Sequence, residues 1–452
     1  MRNVRKVLVL TYYYPPQAGS GTIRIAKFCT YLPIYGWKPL IVTTSFVSQY
    51  DRDLFMDLPH GQAIYRTYDL FATLQRFGVF TALRKLRMAQ PTASARSVQA
   101  AITTQRAPSS LKSIMQKVVQ AEINVRSWMF FAYQQACSLI ESGTVDAILT
   151  TSPPHRTQLL GYMLKKRYPE LPWVMDLRDL WSENRFTKAT SGYQTAVQQE
   201  RRCMRQADRV LVVTEGIRQL TLHQHPDLEE AKIVTLTNGY DLSKLQLESD
   251  RKPHARFTVT HVGTWYASSK EDPLITALQA IYHNTDLAHA MQFRFIGHVP
   301  PEIQHQLAAM QDHEFLVLRP PVTHHEALRE ILQADVALLK YPSDVPGIEL
   351  SHGNKLFEYL GCGKKMLALV PPEGEAAQLI RQESAGIVVN PDDVEAIRQA
   401  IMLLFEQFQQ EPPHAGALGV YPHYDRKQLT GKLAEVLNAA CEAKGNRSNG
   451  TG

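Results

Sequence analysis

Cysteine is scarce in this chain of 452 residues. The five present (Cys29, Cys137, Cys203, Cys362 and Cys441) are far apart. There is no Cys-x-x-Cys pair and no Cys/His cluster, so neither a zinc ribbon nor a disulfide framework is expected. A reducing, cytoplasmic setting is the simplest home for such a chain. Long apolar runs are missing too; nothing approaches the roughly 18 apolar residues that a membrane-spanning helix needs. The opening MRNVRKVLVLTYYYPP sets basic residues before an apolar run, as a signal peptide does. That run is short, includes Thr11, stops at Pro15-Pro16 and has no small-residue cleavage site. A first buried strand is the better expectation. Acidic residues are absent from 70 to 120, where eight basic ones stand: Arg76, Arg84, Lys85, Arg87, Arg96, Arg106, Lys112 and Lys117. That segment alone carries more positive charge than the net +6 of the whole chain.

What is present is an ordinary globular composition, 44% apolar and 20% charged, long enough for two or three domains with their own cores. Apolar runs alternate with helical periodicity. Lys6 to Leu10 and Pro39 to Thr43 read as strands on either side of a helix from Thr22 to Leu32, a β-loop-α-β unit that implies a parallel sheet. Val125 to Ile140 is an amphipathic helix, and Val145 to Leu149 and Trp173 to Leu177 are further strands. The polar stretch from 242 to 256 is the best linker. The pattern then restarts with strands at Phe257 to Val262, Phe293 to Ile296 and Ala334 to Leu339. These readings predict an α/β protein of two Rossmann-like domains, 1–245 and 254–415. A helix over 416–443 and a disordered tail over 444–452 complete the chain.

Several segments carry chemistry. Lys355-Leu-Phe-Glu-Tyr-Leu360 opens a helix at the carboxyl end of a strand, where open α/β sheets place ligands. Lys355 there suits a diphosphate beside free helix amides, and the Glu358 carboxylate suits a pair of ribose hydroxyls. An amphipathic helix with a surface Lys-Glu pair is the alternative. Gly263-Thr264 is a tight turn after a strand, open to a phosphate, with Lys270 beyond it. Gly19-Ser-Gly21 lacks the third glycine of a dinucleotide fingerprint, since Arg24 stands in its place. Arg24 is either a phosphate partner or a solvated helix residue. Asp176, Arg178 and Asp179 crowd the exit of a strand, and His155 follows the loop Thr150-Thr-Ser-Pro-Pro, which marks a second candidate site. Asp51-Arg-Asp53 lies in a polar loop without support and is a chance match to a metal motif. His324-His325 places neighbours on different helix faces, so both are expected at the surface. The segment Leu70 to Met88 has Phe71, Leu74, Phe77, Val79 and Leu83 on one face and basic residues around them. It suits an anionic membrane surface, or else a lid packed on its own domain. No nucleic-acid recognition motif accompanies it.

The Lys-Leu-Phe-Glu-Tyr-Leu-Gly-Cys-Gly-Lys run, the Ser-Pro-Pro and Asp-x-Arg-Asp-x-Trp segments and the Asn238-Gly-Tyr-Asp241 turn, in this order, resemble GT-B glycosyltransferases of the family-4 kind. The resemblance covers residues 6–48 and 125–440. It implies two domains facing a cleft, with the donor on the second and the acceptor on the first. The substrate is then a nucleotide sugar, with no further cofactor and no metal. The acceptor is a hydroxyl on a glycan or a lipid-linked sugar in polysaccharide or cell-envelope assembly, on the inner face of a membrane, and the outcome is retaining. Donor contacts fall to Gly19, Gly21, Arg24, Gly263, Thr264, Lys270, Lys355, Phe357 and Glu358, and the chemistry to Asp179, His155 and Glu349. The family's first glutamate would fall at Leu350; Glu349 is one place off. A silent GT-B scaffold and a GT-B nucleotide-sugar epimerase are the rival readings.

Overall fold

Valine, leucine and isoleucine runs build two fully parallel sheets in the structure, a computed structural model. Residues 4–17, 20–45, 61–70, 110–188, 192–243, 256–265, 272–311, 314–342, 344–410 and 418–449 are described. The first sheet comprises β1 (Arg5–Leu10), β2 (Trp37–Thr44), β3 (Ala63–Thr67), β4 (Ala147–Thr151), β5 (Trp173–Leu177), β6 (Arg209–Val212) and β7 (Ile233–Thr235), in the order β3-β2-β1-β4-β5-β6-β7. The second comprises β8 (Phe257–Val262), β9 (Met291–Ile296), β10 (Leu316–Arg319), β11 (Val336–Lys340), β12 (Lys365–Leu369) and β13 (Gly386–Val389), ordered β10-β9-β8-β11-β12-β13. In both, the strand order reverses beside the first strand, and the carboxyl edge there is where such folds hold ligands.

The helices that matter for the site are α1 (Ser20–Tyr31), α2 (Ser110–Glu141), α3 (Thr157–Arg167), α4 (Tyr193–Gln206), α5 (Glu215–Gln224), α6 (Pro273–Tyr282), α7 (His324–Gln333), α8 (Asn354–Gly361), α9 (Glu375–Gln382), α10 (Val394–Gln410) and α11 (Arg426–Asn449). Each sheet is buried on both faces. One face of the first packs Trp128, Trp173, Leu160 and Met204. Its other face packs Ile25, Phe28 and Trp37 against Leu429, Leu433 and Leu437 of α11. The C-terminal helix therefore completes the core of the N-terminal sheet. Asn438 fixes its register by accepting from Arg5 at 2.9 Å and from the Trp37 indole at 3.1 Å.

Two sequence expectations change here. Helix α11 begins at Arg426 and runs through Asn449, so the stretch from Lys444 to Asn449 is helical rather than a disordered tail; Lys444 Nζ donates to Pro169 O at 3.0 Å. The short edge strands β3 and β10 were not expected: β3 includes Arg66, and β10 has only Leu316 to Leu318 before Arg319. The Asp51-Arg-Asp53 stretch and the basic segment from 71 to 109 lie outside the described residues. Among the described residues no helix is long and apolar enough to cross a membrane.

Candidate active site in the cleft between the sheets

On the second domain the site forms around α8. The loop after β11 turns at Gly347, φ +85°, and ends at Gly353. The Gly353 N–H donates to Tyr341 Oη at 2.6 Å, and a Cβ there would sit 2.7 Å from the same oxygen, so glycine is needed for the loop to enter the helix at this angle. Leu356, Phe357, Tyr359 and Leu360 bury one face of α8 completely. That anchoring leaves Lys355 half-buried at the cleft with Glu358 beside it: Lys355 Nζ donates to Glu358 Oε2 at 2.8 Å. Glu358 is 8% exposed. Burial pushes its carboxyl up, but Lys355, His324 and Arg426 outweigh that and hold it below the usual range.

The Gly263 turn after β8 faces the same lysine. A Cβ at Gly263, φ +139°, would lie 3.4 Å from Lys355 Cε. The turn after β9, Gly297, also φ +139°, packs so closely that a Cβ would meet Gly263 O at 2.0 Å. Two glycine turns thus lie backbone to backbone beside Lys355 at the carboxyl edge of the sheet. Thr264 is half-buried in that turn. Beneath it is a buried ion pair, Lys340 with Asp272 at 3.0 Å; Asp272 also caps α6 and accepts from the Trp265 indole at 2.8 Å.

On the first domain the exit of β5 forms the opposite wall. Asp176 is buried and paired with Arg24 at 3.1 Å, and Thr151 Oγ1 donates to it at 2.7 Å. Arg24 also donates to Thr237 O at 2.6 Å and Leu236 O at 2.8 Å. The Arg178 Nε donates to Ser152 O, and its guanidinium lies beside Gly21 at the start of α1, where a Cβ would be 3.7 Å from Nη2 and 3.1 Å from the Tyr13 ring. Asp179 is exposed and lines a cavity of about 190 Å³ with Arg178, Asn184, Ile348, Leu350 and His352. His155 is buried and stacks on Trp181 at 5.9 Å, 11° from parallel.

The structure thus brings Gly263, Lys355 and Glu358 together on one wall, and Gly21, Arg178 and Asp179 on the other. Three expected site residues do other work. Arg24 is neither solvated nor aimed at a ligand: at 1% exposure it braces β5 to the exit of β7. Phe357 is fully buried, edge-on to Tyr424 at 5.3 Å and to His352 at 5.7 Å. Glu349 is exposed and absent from the cavity wall, whereas its neighbour Leu350 packs on the core of the first domain. Gly19 and Lys270 lie outside the described residues. His324 is exposed, as expected of a surface residue, yet its Nδ1 lies 3.7 Å from Glu358 Oε1, a neighbour that was not anticipated. Arg178 belongs to the expected cluster at the exit of β5, whereas nothing in the sequence pattern marks Arg426. His324 carried one usable signal, its place on the helix just before β11. Among the described residues no group of three or more His, Cys, Asp or Glu side chains is placed to hold a metal ion.

No protein-family model and no curated protein matches the sequence. Solved structures do match over almost the whole chain. The trehalose-6-phosphate phosphatase N-terminal domain of Candida albicans aligns at a TM-score of 0.60 with 12% identity, covering 97% of each chain. WaaG, a glycosyltransferase involved in lipopolysaccharide biosynthesis, aligns at 0.54 with 12% identity, covering 96% of this chain and 99% of its own. Sucrose-phosphate synthase from Thermosynechococcus elongatus aligns at 0.53 with 14% identity over 98% of both. At such identities the likeness concerns architecture: two Rossmann-like domains facing a cleft, the GT-B fold.

Proposed function

We propose that this protein is a glycosyltransferase that moves a sugar from a nucleotide-sugar donor to a hydroxyl acceptor. The observation that carries the reading is the Lys355–Glu358 pair, held against the Gly263 turn at the carboxyl edge of the second sheet. A carboxylate kept ionised and mostly buried there accepts two ribose hydroxyls. The lysine, the glycine-turn backbone and the first amides of α8 neutralise a diphosphate leaving group as the bond to the sugar breaks. Arg178, Asp179 and His155 on the facing wall then suit an acceptor hydroxyl. With charge supplied by Lys355 and helix amides, departure of the diphosphate needs no metal in this reading. Retention of configuration, a lipid-linked or glycan acceptor, and a role in polysaccharide or cell-envelope assembly follow from the sequence resemblance alone. So does work at an anionic membrane surface through residues 70–120, for which the basic, acid-free composition is the support.

The test is thermal stabilisation and turnover with UDP-, GDP-, ADP- and CMP-linked sugars. One base should raise the melting temperature by mass action. Glu358→Gln should weaken that donor by roughly 10-fold or more, the scale of a lost charged hydrogen bond at ~1.5–3 kcal/mol. Unchanged donor affinity in the variant would remove Glu358 from the site. Interconversion of the nucleotide sugar without an acceptor would favour the epimerase. Stabilisation by none of the donors at millimolar concentration would favour a silent scaffold.

A further inference from the structure

Three acidic groups near the cleft each have a basic partner of their own. Glu358 is bonded to Lys355 at 2.8 Å, Asp241 to Lys27 at 2.6 Å and Asp176 to Arg24 at 3.1 Å. Arg426 is a further cation at this place. It is the first residue of α11 and is 3% exposed. Its backbone is well held: the N–H donates to Tyr240 O at 2.9 Å, and the carbonyl accepts from Thr430 Oγ1 at 2.6 Å. Among the described residues its guanidinium makes no hydrogen bond and no ion pair. Tyr424, two residues earlier, packs on Phe357, which places the start of α11 over α8. The charges that act on Arg426 come from both walls, Arg24 and Arg178 on one side and Glu358 on the other, with Asp241 from the exit of the first domain. Burial and the two like charges pull it down to about 10, still protonated at neutral pH.

An arginine withdrawn from water without a counter-ion costs several kcal/mol, and two neighbouring arginines add to that cost. A ligand anion would offset it. The planar fork of five donors matches phosphate oxygens two at a time. We infer that Arg426 is a binding residue for the diphosphate of a cleft-bound nucleotide, supplied to the second domain's site by the helix that completes the first domain's core. The inference rests on the nucleotide-sugar reading above, and it adds a consequence: donor binding ties α11, and so the two domains, together.

The experiment measures binding and melting temperature for the wild type, Arg426→Gln and Arg426→Lys. The ligands are UDP, GDP, ADP, the corresponding nucleosides, and inorganic pyrophosphate. Without ligand, Arg426→Gln should melt at the same or a higher temperature than the wild type. Its affinity for the preferred diphosphate should fall at least 10-fold, with nucleoside binding unchanged, and Arg426→Lys should fall between the two. Equal diphosphate affinity in wild type and Arg426→Gln overturns the inference and leaves the nucleotide-sugar reading standing. A lower melting temperature, or equal losses for diphosphate and nucleoside, shows a structural role and also overturns it. Pyrophosphate binding that depends on Arg426, with no nucleotide bound by the wild type, keeps the anion site and removes the nucleotide. Binding of neither overturns both.

Discussion

Single residues in this cleft are legible only through their neighbours. Arg24 shows why. Its position, one turn into the first helix, is the same for a phosphate ligand, a solvated residue and a buried brace; the choice depends on Asp176, far away in sequence, meeting it at 3.1 Å. Leu350 is similar. It stands where a family glutamate was expected, and instead of carrying charge it packs on the first domain, with its carbonyl accepting from Thr214 Oγ1 at 2.9 Å. His261 gives a prediction at this scale. It lies in β8 at 6% exposure, and its Nδ1 is 3.0 Å from Leu338 O, which assigns the proton to that nitrogen in a neutral ring. Burial pushes the imidazole down to about 4. The unfolded chain takes up this proton near the ordinary histidine value and the folded chain only near 4. Stability is therefore lost as pH falls between those values, by up to ~3 kcal/mol from this one group. Denaturant titrations at pH 7, 5.5 and 4.5 should show a shallower loss in His261→Gln than in the wild type. Parallel slopes would mean that the folded ring takes up its proton at the ordinary histidine value.

At the scale of elements the sequence was far more informative, because periodicity and turn chemistry are local. The spans of α3, β5, β8 and α6 follow the pattern of apolar residues and breakers closely, since central strands buried on both faces must be apolar throughout. The strands β3 and β10 escaped because they are short, five and four residues, and each ends in or includes a charged residue, Arg66 or Arg319, which leaves too little pattern to tell a strand from a loop. The Gly263 turn was visible as a glycine after a strand, but its partner turn at Gly297 was not seen to matter, since their contact is long-range. That contact predicts an order of severity. Gly263→Ala should cost about 1–3 kcal/mol from backbone strain at φ +139°, and it should displace Lys355 and so weaken the nucleotide binding proposed above. Gly297→Ala adds a collision with the Gly263 carbonyl at 2.0 Å and should cost more. Equilibrium denaturation of the two variants checks this; equal or reversed costs would show that the two turns are not packed backbone to backbone.

For the whole molecule, the two domains repeat one device, a buried ion pair under the carboxyl edge of each sheet: Arg24–Asp176 in the first and Lys340–Asp272 in the second. Each is shared with backbone or side-chain hydrogen bonds, which is what keeps a buried pair from being destabilising, and each stiffens one wall of the cleft. What holds the walls at their present separation is a smaller set of contacts. Glu375, at the start of α9, accepts from the Gly216 N–H at the start of α5, an acidic group on a helix N-terminus in the other domain. Thr214 and Leu350 add the hydrogen bond and apolar contact beside it. A cleft that takes ligands between its walls has to open for them, and a contact made by one carboxylate and one threonine is weak enough to break. Glu375→Ala should therefore enlarge the molecule in solution without lowering the stability of either core, whereas Glu375→Gln, which still offers an acceptor oxygen, should stay close to wild type. Small-angle scattering of the three proteins without ligand reads this directly. An unchanged radius of gyration in Glu375→Ala would place the closing force elsewhere, in α11, whose leucines are already part of the first domain and whose first residue reaches over the second.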